Sequence, residues 1–105
     1  MATTGPTLDQ VKARRREILR IAAAHGTGNV RVFGSVARGT ANEQSDVDLL
    51  VDFEHRAPDD FGYYGILYEV QEAIQRLLGR EVHVVHLENR STPRARRILR
   101  EAVQL

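Results

Sequence analysis

The 105-residue chain contains no cysteine, which excludes a disulfide scaffold and any zinc centre built on thiolates. It has no tryptophan, one methionine and three prolines, and neither proline nor glycine gathers into a linker. Its longest apolar runs are a few residues, against about 20 needed to cross a bilayer. The opening Met1–Pro6 lacks the basic-then-apolar pattern of a secretory signal and reads as frayed. Excess charge of one sign is missing too. With 15 basic and 14 acidic residues the formal charge is +1, too small a field to make nucleic acid the main ligand. A composition of 42% hydrophobic and 28% charged residues suits one modest core. The expectation is a cytoplasmic single domain over 1–105, with residues 1–6 flexible and no membrane contact.

Thr7-Leu8-Asp9-Gln10 has the form of a capping box, and Leu8, Val11, Ile18, Leu19 and Ala22 recur at helical spacing up to about His25. A short strand over 29–33 breaks at Gly34, and Val47–Phe53 reads as a central strand covered on at least one side. His55–Asp60 is a loop. Tyr64, Leu67, Val70, Ile74, Leu77 and Leu78 form a helical stripe ended by Gly79. Val82–Leu87 predicts a third strand, and Pro93 opens a last helix with Ile98, Leu99, Ala102 and Val103 as its buried stripe. The fold class is therefore α/β or α+β: a small mixed sheet of three or more strands flanked by helices.

The chemistry lies in Val32–Val51, VFGSVARGTANEQSDVDLLV. A Gly34-Ser35 turn follows a strand, ten residues intervene, and Asp46-Val47-Asp48 opens the next strand. Residues two apart on a strand share a face, so Asp46 and Asp48 project together, the second inside an apolar run. Paired carboxylates resist joint ionisation unless a cation compensates, and Mg²⁺ with substrate phosphates is the natural compensation. Gly34 has no Cβ to hold a phosphate off the backbone, and Ser35 adds a hydroxyl. Arg38, just beyond, either touches a triphosphate or stands in solvent.

GS, ten residues, DxD and then LLV resembles the minimal nucleotidyltransferase family of the DNA polymerase β-like superfamily. Gly39 matches that family's GSxARG form; Leu77-Leu78-Gly79-Arg80 with the valine-rich strand after it, and the closing Arg97–Leu105, are similar as well. The resemblance implies that Gly34 and Ser35 hold the phosphates of ATP while Asp46 and Asp48 bind Mg²⁺. It further implies transfer of a nucleoside monophosphate to a hydroxyl with loss of pyrophosphate. Such domains are usually antitoxins that add AMP to a tyrosine of a helical HEPN ribonuclease toxin. The alternative is a catalytically weak module that blocks the toxin by binding it.

One position departs from the family pattern. The third strand normally supplies a third acid, and here His83 stands in its place. His83 acts as a base or metal ligand, or Glu81, on the same face, substitutes for the acid, or the site binds without turning over. His86 lies on the wrong side of the strand to pair with His83, His25 fits a helix C-terminus, and His55 has no assignable role. Tyr63, Tyr64 and Tyr68 suit core or partner contact. Arg94, Arg96, Arg97 and Arg100 form a solvated face, or dock an acidic partner or RNA.

Overall fold

Thr7 caps the first helix as its sequence predicts. In the computed structural model, which describes residues 5–105 (positions 60 and 61 by backbone alone), its hydroxyl accepts from the Gln10 N–H and the Gln10 side chain accepts from its own, both at 3.1 Å. The single helix predicted over 8–25 is two, α1 (Leu8–Ala13) and α2 (Arg15–Ala24). At Arg14, φ −104° and ψ 17° leave helical geometry, and its N–H bonds tightly back to the Val11 carbonyl. Of the opening segment expected to be loose, 1–4 lie outside the described residues, whereas Gly5 and Pro6 are buried. A Cβ added at Gly5 would meet the Asn42 backbone at 2.6 Å, so the chain is packed there rather than frayed.

The remaining elements are β1 (Thr27–Phe33), α3 (Gly34–Arg38), β2 (Val47–Phe53), α4 (Asp60–Leu78), β3 (Val82–Val85), α5 (Pro93–Glu101) and β4 (Val103–Gln104). They form one mixed sheet in the order β3-β2-β1-β4. The β1–β2 and β1–β4 pairs are antiparallel; β2–β3 is parallel, which requires the crossover that α4 supplies. Between Gly28 and Arg31 the β1–β2 register slips by a bulge. Asn29 absorbs the extra residue at φ 48°, and its amide donates to Asp52 at 2.7 Å.

Alternation then sorts the side chains. Val30, Val32, Val47, Leu49 and Val51 face α2 and α4, where Ile18, Ala22, Val70 and Ile74 complete the main core. On the opposite face Phe33 and Leu50 pack on Ile98 of α5. Asp48 and His83, paired in register across β2 and β3, belong to this second face, which α5 covers only in part.

Two elements end differently from the sequence reading. β3 stops at Val85, beyond which the His86 ring packs on Phe53, centroids 4.9 Å apart. The last helix, expected to include Ala102 and Val103, ends at Glu101: Ala102 is extended, and Val103–Gln104 pairs with Val32 and Arg31. That pairing adds β4 as the edge strand beside β1, directly after the end of α5.

The outer edge of β3 is blunted from α4. Gln75 accepts from the Val82 N–H at 3.1 Å and Gln71 from the Val84 N–H at 3.0 Å. These bonds satisfy main-chain donors that would otherwise template association. Gln71→Ala is expected to cost about 1–2 kcal/mol, the penalty for orphaning a largely buried donor. Thermal melts would show it, and Gln71→Glu, which keeps an acceptor oxygen, should retain most of the stability.

Candidate active site

β1 delivers the chain to Phe33, and Gly34 turns it at φ 74° into the short α3, whose end is set by Gly39 at φ 76°. The left-handed turn brings Gly34 against the Asp48 side chain so closely that a Cβ at 34 would collide with the carboxylate. The glycine–serine bend and the second aspartate therefore meet in space. On the other side of Asp48, Arg80 reaches the Ser45 carbonyl at 3.3 Å and the Val47 N–H donates to the Glu81 carbonyl at 3.0 Å. Both contacts tie the approach to β2, where Asp46 lies, to the start of β3.

His83 is the hub of the acidic end. Its Nε2 lies 3.6 Å from Asp46 Oδ2 and 3.6 Å from Glu81 Oε1, and its Nδ1 lies 3.6 Å from Asp48 Oδ1. One imidazole is thus straddled by three carboxylates, each beyond hydrogen-bond distance. Ligand atoms of Asp46, Glu81 and His83 lie within 4.8 Å of one another, a spacing a single cation can bridge. Two carboxylates and an imidazole suit a divalent ion, with the oxygens favouring a hard one. Burial pushes the Asp48 carboxyl above its ordinary value. His83 and Arg38 oppose that shift, while Asp46 and Glu101 add like-charge repulsion.

Of the expected phosphate-binding residues, Gly34, Ser35 and Arg38 line one cavity together with Asp48. Arg38 is half-exposed yet engaged, donating to Glu101 at 3.0 Å. Glu101, and Arg94 and Arg97 in the same wall, were missed as site residues by sequence reasoning. Their spacing along α5 puts all three on one helical face, which is the signal that was available. Arg96 and Arg100 are exposed.

The other candidates lie elsewhere. His86 makes no pair with His83; its Nδ1 lies 3.1 Å from the Tyr63 hydroxyl. His25 is the C-cap of α2, its Nδ1 at 2.9 Å from the Ile21 carbonyl. Tyr63 is buried, whereas Tyr64 and Tyr68 are exposed and so excluded from the core.

Residues 15–105 match the nucleotidyltransferase domain family. The chain belongs to that family. Among its relatives is the protein adenylyltransferase MntA of Thermococcus cleftensis, 40% identical over 78 residues that cover 74% of each chain. A solved structure described as a candidate minimal nucleotidyltransferase superposes with a TM-score of 0.75 at 41% identity, over 97% of this chain and 99% of that one. A chain from a crystal structure of a toxin–antitoxin with AMP-PNP shares the fold: TM-score 0.66 and 23% identity, over 92% of this chain and 72% of its own. Within this nucleotidyltransferase domain, no helix of the described residues is long and apolar enough to cross a membrane.

Proposed function

We propose that residues 1–105 act as one minimal nucleotidyltransferase domain, the antitoxin of a toxin–antitoxin pair. Its reaction is transfer of AMP from ATP to a tyrosine hydroxyl of a HEPN-type toxin. The observation that carries this reading is the convergence of Asp46, Asp48, Glu81 and His83 beside the Gly34-Ser35 bend. The adenylyltransferase name of the Thermococcus relative and the toxin–antitoxin neighbour with bound AMP-PNP support it. An ATP-consuming reaction of this kind belongs in the cytoplasm.

In this reading Gly34, Ser35 and Arg38 bind the phosphates, and Asp46 and Asp48, with Glu81 in reach, hold Mg²⁺. Bound there, the ion would supply charge neutralisation on the triphosphate. The toxin's tyrosine oxygen would form a bond to the α-phosphorus as the bond to pyrophosphate breaks, and the phenolic proton would pass to a ring nitrogen of His83. Glu81, outside the assigned metal pair and 3.6 Å from Nε2 of that ring, would favour the imidazolium so formed. Most of the rate comes from positioning and charge neutralisation.

The test is to incubate the protein with ATP, Mg²⁺ and the product of the neighbouring gene, and to weigh that partner by mass spectrometry. A gain of one or more AMP units, located on tyrosine by fragmentation, is the expected result. A stable complex with no gain favours the second reading, neutralisation by binding alone, to which histidine at the third-acid position lends its weight. His83→Asp is expected to raise transfer about tenfold by restoring an oxygen ligand and base. Unchanged turnover there, with activity abolished in Glu81→Ala, would assign the third acid to Glu81.

A further inference from the structure

The last helix puts a carboxylate where the proposed reaction would place a phosphate. Glu101, the final residue of α5, accepts from the Gly34 N–H at 2.9 Å through one oxygen and from Arg38 at 3.0 Å through the other. Both donors belong to the proposed phosphate site. Despite burial, the hydrogen bonds from Arg38 and Gly34 and the nearby Arg97 charge hold the Glu101 carboxyl below its ordinary value, so it is an anion at neutral pH. Arg94 and Arg97, earlier on the same helical face, line the same cavity of about 270 Å³. That volume accommodates phosphate groups.

Three guanidinium groups and two carboxylates share this space. Asp48 also faces His83 and Asp46 at the acidic end, so its charge is partly directed away. A phosphate arriving at Gly34 meets Glu101 on the N–H it requires, and the two anions cannot share it. Because Glu101 is the last residue of α5 and Ala102 is already extended, the carboxylate can swing away without unwinding the helix. Arg94 and Arg97 then face the incoming charge.

We infer that α5 completes the phosphate-binding site: Arg94 and Arg97 are phosphate ligands, and Glu101 is an internal anion that holds Gly34 and Arg38 until a phosphate group displaces it. The inference rests on the reading of Gly34-Ser35 as the nucleotide site. It makes the helix part of substrate recognition rather than a solvated arginine face, and it sets a threshold that only a strongly charged ligand overcomes.

Calorimetry on the full chain with Mg²⁺, using AMP-PNP, inorganic triphosphate and adenosine as probes, tests it. Glu101→Gln keeps the shape and an acceptor for the Gly34 N–H but removes the charge. It is expected to tighten AMP-PNP and triphosphate about tenfold, with no change for adenosine. Arg94→Gln and Arg97→Gln, at exposed positions, are each expected to weaken the two phosphate ligands about tenfold. Unchanged or weaker phosphate binding in Glu101→Gln overturns the displacement role. Should that variant misfold by circular dichroism, unchanged affinity in both arginine variants overturns the assignment instead. If Gly34→Ala abolishes binding while all three α5 variants leave it untouched, the α5 inference alone fails. If the unmodified protein binds neither AMP-PNP nor triphosphate, the nucleotide reading of the site fails with it.

Discussion

Asp48→Asn is expected to lower AMP transfer about 10³-fold and, at the same time, to raise the melting temperature at pH 7 by on the order of 3–5 °C. The two effects have one cause. Asp48 lies on the β2 face beside α5, pushed above its ordinary value mainly by burial, with His83 and Arg38 opposing the shift and Asp46 and Glu101 adding to it. A carboxyl whose folded-state pKa exceeds its unfolded value binds its proton more tightly when folded. It therefore favours folding below about the ordinary 3.8 and loses that contribution as pH rises through the raised value. At neutral pH the ionised group is a net cost, which asparagine removes. Thermal melts at pH 7 and pH 4 check the sign: the gain should shrink at the lower pH. A fall in melting temperature at pH 7 would mean that attraction to His83 outweighs the cost of burying the charge. In the proposed reaction the same charge would help hold the cation, so its cost to the fold would serve function.

Gly34→Ala should be nearly as damaging to activity and, unlike Asp48→Asn, should destabilise the fold, by about 2–4 kcal/mol. Two penalties combine there: a side chain at φ 74°, and a Cβ driven into the Asp48 carboxylate. Gly39→Ala separates them. Its φ of 76° imposes the same backbone strain, but nothing lies within 4 Å of the added Cβ. The expected cost is about 1–2 kcal/mol, with transfer activity largely kept. Denaturant titrations of both variants, alongside AMP-PNP binding, would show the difference. Equal losses of binding in the two would mean that the turn's backbone conformation, and not the close approach to Asp48, is what the site requires.

The parts of the molecule readable from sequence share a short range. The Thr7 capping box, the proline and threonine that open α5, the α4 stripe ended by Gly79 and the strand bearing Asp48 all follow from rules spanning a turn or two. Asp46 and Asp48 were readable for the same reason, since the two-residue period of a strand aligns them. Placing Glu81 and His83 on one face needed only that period as well. The break at Arg14 was not readable, because the apolar spacing continues through it. The bulge at Asn29 depends on Asp52, 23 residues away, to hold the amide that stabilises it. Gln71 and Gln75 read simply as polar helix positions until β3 lies beside them.

By itself, then, the order of residues determined a small layered fold, a glycine–serine bend and a pair of aspartates on one strand face, because local geometry is enough to align them. Only the tertiary structure decided that the last residues leave the helix to pair with β1, that Glu101 lands on Gly34 and Arg38, and that two arginines join the cavity wall. Helical preference in Arg97–Leu105 runs past Glu101; the unpaired edge of β1 overrides it, and no window along the chain contains both partners.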